Sequence, residues 1–328
     1  MSVREPGQPD DTDVADARLY RVGKPCITWH IDWAREGFGT PSSMKPAPFR
    51  YHVPKSVDEA VALLAQLAPD DGRVLAGGQS LVPAMAFRLA RPAHLIDING
   101  IATLERLAAD GSALTIGACV RHAAFHRPVA DGPLGRLLAS VVRHIAHYPI
   151  RTRGTFCGSL AHADPASEWC LVAATLGAEI AATSARGTRR IAAKDFFTGI
   201  MTTALADEEL LAEARLPLLP AGTRFGFQEF NRRAGDFAIA MALAVYRVED
   251  GVIADPRIGV GGAESCPRRL AEAERILKGQ APRGDLFRAA AGAAAAAIDP
   301  IEDPATPAEY RREVVAAVTR QALERAAP

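Results

Sequence analysis

At 328 residues the chain is long enough for two or three subdomains with real cores, and 38 Lys+Arg against 38 Asp+Glu leave a formal net charge of zero. That balance gives no long-range attraction to nucleic acid. No apolar run is long enough to span a bilayer and no signal-peptide stretch opens the chain, so a cytoplasmic protein without an integral membrane segment is expected. Cys26, Cys119, Cys157, Cys170 and Cys266 are scattered without a Cys-x-x-Cys pair, which suggests reduced thiols and excludes an iron–sulfur module on this chain.

Residues 1–43 differ from the rest. The acidic Asp10–Asp13 stretch and its Gly/Pro-rich flanks read as a mobile extension. Within it Ile27–Phe38, with Trp29 and Trp33, is the part able to anchor on a surface or a partner. Ser56 and Glu59 form a capping box, and Val57, Ala60, Val61, Leu64 and Leu67 follow at helical spacing. Arg73–Ala76, Ala93–Ile98 and Leu114–Ala118 read as strands, and Leu81–Arg88 as a helix with Pro83 in its opening turn. Pro133–Ile145 has helical periodicity, as does Glu168–Leu176. Ala178–Thr183 and Arg189–Ala193 pair as a hairpin, and Glu208–Leu216 is a strand closed by Pro217. Leu218–Gly222 punctuates the chain and marks a domain boundary. Beyond it Arg224–Asn231, Ala238–Val248 and Val252–Gly261 are strands, and helices are predicted over Pro267–Lys278, Phe287–Ala297 and Pro307–Ala326.

Two glycine-bearing segments organise the whole: Val74–Leu81, containing Leu75, Ala76, Gly77, Gly78, Gln79, Ser80 and Leu81, and Arg153–Leu160, containing Thr155, Phe156, Cys157, Gly158 and Ser159. Glycine allows close approach of backbone to a ligand, and successive N–H groups at a turn and helix start make an anion nest. Arg151 and Arg153 flank the second segment, and a pyrophosphate held between the two segments suits both. Neither matches a Walker A or a G-x-G-x-x-G pattern, and each taken alone also reads as an ordinary turn.

The pair Ala76–Ser80 and Thr155–Ser159, continued by Leu160-Ala161-His162-Ala163-Asp164-Pro165-Ala166-Ser167-Glu168, resembles the FAD-binding medium subunit of molybdenum hydroxylases. That family includes the carbon monoxide dehydrogenase medium chain and the flavin domain of xanthine dehydrogenase. The likeness runs from about Phe49 to the end of the chain, and Met44–Phe49 resembles the family's usual beginning, so the natural start is expected there. The resemblance implies an α+β, PCMH-type (vanillyl-alcohol-oxidase-like) FAD-binding fold. Its FAD-binding domain would span 44–220, with lobes at about 44–100 and 101–220. A C-terminal α+β domain with an antiparallel sheet and helices would span 221–328.

It further implies FAD on this chain, with molybdopterin and [2Fe-2S] clusters on a large and a small partner subunit in a dimer of heterotrimers. Electrons would pass from the clusters through FAD to an external acceptor. Gln79, Ser80, Thr155 and Ser159 can add side-chain hydrogen bonds to the backbone donors. Asp164 reads equally as a cap and as a ribose partner, while the family pattern favours cofactor contact for Glu168. Leu210 or Leu211 matches an apolar residue near the flavin ring, and is otherwise core. Gln228 and Glu229 occupy a segment where many relatives place a lysine at the flavin edge; a glutamate there needs a partner of its own. Arg232, Arg233 and Asp236 fit the same segment or a surface ion pair. Cys157 replaces a usual glycine, which matters if positive φ is required. His144 and His147, three apart, read as packing residues rather than a metal pair. No catalytic residue is expected here, because the redox chemistry belongs to the cofactor. Two rivals remain: a self-sufficient flavoprotein of the same fold, and a scaffold that has lost FAD.

Overall fold

The computed structural model describes residues 45–303 and 306–327, so the expectations for residues 1–43 lie outside the described residues. β1 (Arg50–His52), α1 (Val57–Leu67), β2 (Gly72–Leu75), α2 (Leu81–Ala86) and β3 (His94–Asp97) follow one another, and the strands assemble as an all-parallel sheet in the order β1-β3-β2. α1 begins where Ser56 Oγ accepts the Glu59 N–H at 3.1 Å and the Glu59 carboxylate accepts from the Lys55 N–H at 2.7 Å. Its buried stripe is Ala60, Val61, Leu64 and Leu67. Each of the three larger side chains contributes about 2 kcal/mol of hydrophobic stabilisation.

A second unit holds β4 (Leu107–Ala109), β5 (Ala113–Gly117), α3 (Pro133–Val141), α4 (Tyr148–Arg151), α5 (Phe156–His162) and α6 (Glu168–Leu176). It continues through β6 (Glu179–Ser184), β7 (Gly187–Ala192), α7 (Ala193–Phe196), the short ribbon β8 (Phe197–Gly199) and β9 (Thr202–Thr203), and β10 (Leu210–Pro217). Its main sheet is antiparallel in the order β4-β5-β10-β6-β7. α6 is buried from Trp169 to Leu176 and stops at Gly177, whose φ of +72° suits glycine.

A third unit comprises β11 (Arg224–Phe230), β12 (Ala240–Glu249), β13 (Val252–Gly261), β14 (Arg268–Arg269), α8 (Ala271–Leu277), α9 (Gly284–Ala297) and α10 (Ala308–Ala326), with an antiparallel sheet ordered β11-β12-β13-β14. β12 shows why this sheet sits where it does. Met241, Leu243 and Val245 join the core of the preceding units, whereas Ala240, Ala242, Ala244 and Tyr246 join a second core with the C-terminal helices. Strand alternation turns one sequence into two buried faces. On the first face α6 comes so close that a Cβ on Gly259 would lie 1.8 Å from Thr175 Oγ1.

Several boundaries depart from sequence expectation. The helix expected to reach Ile145 ends at Val141, because the following turn carries Ala146 at φ +41° and Arg151 Nη1 captures the Ile145 and Ala146 carbonyls at 2.6 and 2.9 Å. The first turn of the helix expected over Pro267–Lys278 is instead β14, paired with Gly259 and Val260. β1, β4 and α5 carry too little periodicity to be read in advance.

Candidate cofactor site

β2 delivers the first glycine segment, and the turn before α5 delivers the second. The two touch backbone to backbone. A Cβ on Gly77 would lie 2.4 Å from the Arg153 carbonyl oxygen and 2.6 Å from Gly154 Cα, an approach open only to glycine. Gly78 takes φ +70°. Gln79 Nε2 donates to the Gly77 carbonyl at 3.1 Å and braces the turn. From Gly77 to Leu81, successive backbone N–H groups have no acceptor among the described residues, the first helical bonds being Val82 N to Gly78 O and Ala84 N to Ser80 O. Donors left open in a glycine cradle fit the diphosphate of a dinucleotide.

The second segment is built differently. Thr155 caps α5 by accepting the Gly158 N–H at 3.0 Å; Phe156 N donates to Val120 O, and Ser159 N to Thr155 O, both at 3.1 Å. Phe156 is buried, with its ring 4.9 Å from that of Trp169 and 5.7 Å from that of Phe125. Cys157 is helical, without positive φ, and its buried thiol donates to Ile116 O at 3.3 Å. Burial pushes that thiol's pKa up, far from reactivity. Cysteine is therefore harmless here. The side chains of Thr155, Phe156 and Cys157 are scaffold, while Gly158 and Ser159 are only partly buried.

Sequence reading missed the groups that join the segments. Asn99 Nδ2 donates to the Ala76 carbonyl at 2.8 Å and to Asp97 Oδ1 at 2.5 Å, and Asp97 also accepts from the Tyr51 hydroxyl. Arg121 donates from Nη2 to Asn99 Oδ1 at 2.6 Å and from Nη1 to the Arg153 carbonyl. Behind them Trp169 Nε1 donates to His122 Nδ1 at 2.9 Å, and the backbone N–H of His122 donates to the Gly154 carbonyl at 2.9 Å. Burial, with the nearby Arg121 and Arg151 cations, lowers the His122 pKa to about 3, so the ring is neutral. Arg151, expected to flank a pyrophosphate, instead wraps the turn after α3 and reaches His126 Nε2 at 3.1 Å.

Asp164 closes a turn by accepting the Ala166 N–H at 2.8 Å, with Ser167 rather than Asp164 at the N-cap of α6. Glu168 opens α6. Desolvation, with Glu229 and Asp164 adding repulsion, pushes its carboxyl up to about 8, so it holds a proton at neutral pH and can donate. Leu210 and Leu211 are 3% and 4% exposed and belong to the core, beside the β10 bulge.

Gln228 and Glu229 part company, because neighbours on a strand face opposite ways. Gly226 packs on α10, where a Cβ would lie 2.0 Å from Ala322 O, and Gln228 on the same face lines a groove with Tyr310, Val314 and Val318. Its expected place at the cofactor is thus corrected: it faces away from the glycine segments. Glu229 faces the second unit. His144 Nδ1 lies 3.2 Å from Glu229 Oε1, which also accepts from Asn231 Nδ2 at 3.0 Å. His147 packs against Gly235, whose Cβ would lie 2.6 Å from the ring. Among the described residues, no group of three or more His, Cys, Asp or Glu side chains is placed to hold a metal ion. Nor is any helix there long and apolar enough to cross a membrane.

An α+β chain that brings two glycine segments together around open backbone donors is a dinucleotide-cofactor protein by build. Residues 47–219 match the family model for the FAD binding domain in molybdopterin dehydrogenase, and residues 225–326 that for the CO dehydrogenase flavoprotein C-terminal domain. The chain is 39% identical over 280 residues to the nicotine 6-hydroxylase medium subunit of Paenarthrobacter nicotinovorans, covering 85% of this chain and 98% of that one. It is 36% identical over 285 residues to the carbon monoxide dehydrogenase medium chain of Hydrogenophaga pseudoflava, covering 86% and 98%. A solved carbon monoxide dehydrogenase of H. pseudoflava, lacking the Mo-pyranopterin moiety of its molybdenum cofactor, superposes with a TM-score of 0.82 at 36% identity over 86% of this chain and 98% of that one. The chain belongs to the family of FAD-binding medium subunits of molybdenum hydroxylases and is an FAD-dependent oxidoreductase subunit.

Proposed function

We propose that this chain is the electron-transfer subunit of a molybdenum-containing hydroxylase or dehydrogenase. A large partner would oxidise the substrate at molybdopterin, and a small partner's [2Fe-2S] clusters would relay electrons to FAD here and on to an external acceptor. The observation that carries this reading is the contact of Gly77 with Arg153 beside the open donors of Gly77–Leu81. FAD, when bound, supplies the redox chemistry. The residues of this chain hold and orient it: the first segment by backbone donors, Ser159 by its hydroxyl, and Glu168 as a protonated donor. No side chain is assigned as acid or base toward the organic substrate.

Two relatives are named as a medium subunit and a medium chain, which supports a multi-chain assembly, read here as a cytoplasmic dimer of heterotrimers. The proposal includes a division at 218–222 into an FAD-binding domain (44–220) and a C-terminal domain (221–328). Purification of the tagged chain from its host tests the assembly. A large molybdopterin chain and a small cysteine-rich chain in equal proportion, with flavin bleached by substrate only in their presence, is the expected result. Substrate turnover by the isolated chain would replace this reading with that of a self-sufficient flavoprotein.

A further inference from the structure

Arg121 is the guanidinium lodged between the two glycine segments, and it follows the β5 end of the second unit. It uses two of its five N–H donors, one on the Arg153 carbonyl and one on Asn99 Oδ1. Both acceptors are neutral. Asp97, the nearest carboxylate in this network, is taken by Tyr51 and by Asn99. Among the described residues the Arg121 guanidinium meets these two acceptors and no carboxylate directly. Through Asn99 the guanidinium is tied to the Ala76 carbonyl, immediately before Gly77, and directly to the Arg153 carbonyl, immediately before Gly154.

A half-buried cation with spare donors and no carboxylate in direct contact is costly unless an anion completes it. The open N–H groups of Gly77–Leu81 ask for the same thing. We propose that Arg121 is the cationic residue of this site, holding the two glycine segments at their spacing and supplying the positive charge that receives the diphosphate of a dinucleotide. Asn99 is the positioning residue that orients it. This rests on reading the segments as the FAD site.

The test uses the full-length chain, stripped of flavin and titrated with FAD and with riboflavin, which lacks the diphosphate. Arg121→Gln is expected to raise the FAD Kd by about 10- to 100-fold and to flatten its dependence on salt, with riboflavin affinity unchanged. Arg121→Lys, which keeps the charge and loses the fork, is expected to fall between Gln and the parent. Asn99→Ala is expected to weaken FAD while keeping the parent's salt dependence. Thermal unfolding of each flavin-free variant within about 3 °C of the parent separates binding from folding. The proposal is overturned if Arg121→Gln binds FAD as the parent does, or loses FAD and riboflavin alike with the salt slope intact. Failure of the unsubstituted chain to take up FAD is a different result, and overturns the reading of the whole site.

Discussion

His144, just past α3, meets Glu229 on β11: the imidazole Nδ1 lies 3.2 Å from a carboxylate whose side chain is only 8% exposed. The ring also meets Phe227 edge-on at 4.8 Å. The glutamate that stands where many relatives are expected to carry a lysine has therefore found a partner across the unit boundary. His144→Ala leaves Glu229 with Asn231 alone and is expected to cost about 1–3 kcal/mol in urea unfolding. Glu229→Gln, which removes the charge and keeps the shape, is expected to cost less. Equal stability of His144→Ala and the parent would show the pair to be idle.

Gly77→Ala forces a methyl into the Arg153–Gly154 backbone, where no flexible side chain can yield. The segments must separate. Loss of FAD affinity by at least about 10-fold and a stability cost of about 1–3 kcal/mol are expected from titration and thermal unfolding. Gly292→Ala is the matched control, since it lies exposed within α9 with nothing within 4 Å. It is expected to stabilise the chain by about 0.5–1 kcal/mol without touching FAD binding.

Much of this was legible beforehand. The Ser56–Glu59 box and the Glu168–Leu176 helix stand as read, since both depend on contacts within a few residues. The two glycine segments were visible for the same reason. Arg121 and Asn99 were not, because their role exists only once β2, β3 and the turn before α5 converge, and no local period marks them. α5 hid because Gly158 and Ser159 weaken helix propensity, and only the Thr155 cap and the packing of Phe156 compensate.

Glu168 sets a pH dependence. Its folded pKa of about 8 exceeds the ordinary carboxylate value, so the native state binds the extra proton and stability falls as pH rises from about 4.5 through 8. Glu168→Gln removes that penalty. In the flavin-free chain it is expected to be neutral below pH 4.5 and stabilising by on the order of 2 kcal/mol above pH 8, followed by Tm across that range. An unchanged difference at both ends would contradict a desolvated, protonated carboxyl.

His122 acts on the acid side. The unfolded ring protonates near pH 6.5 while the folded ring resists to about 3, so its contribution is present above 6.5 and lost as pH falls toward 3. His122→Gln can still accept the Trp169 N–H, and is expected to flatten the stability loss between pH 6.5 and 4. His122→Ala, which orphans that N–H, is expected to cost about 2–4 kcal/mol at pH 7.

The visible absorption spectrum of the purified full-length chain, with the released cofactor identified by mass, bears most directly on the account. Near-unit occupancy by FAD is the predicted result. A colourless chain that takes up no flavin from excess FAD would contradict the two-segment site and leave a scaffold in its place.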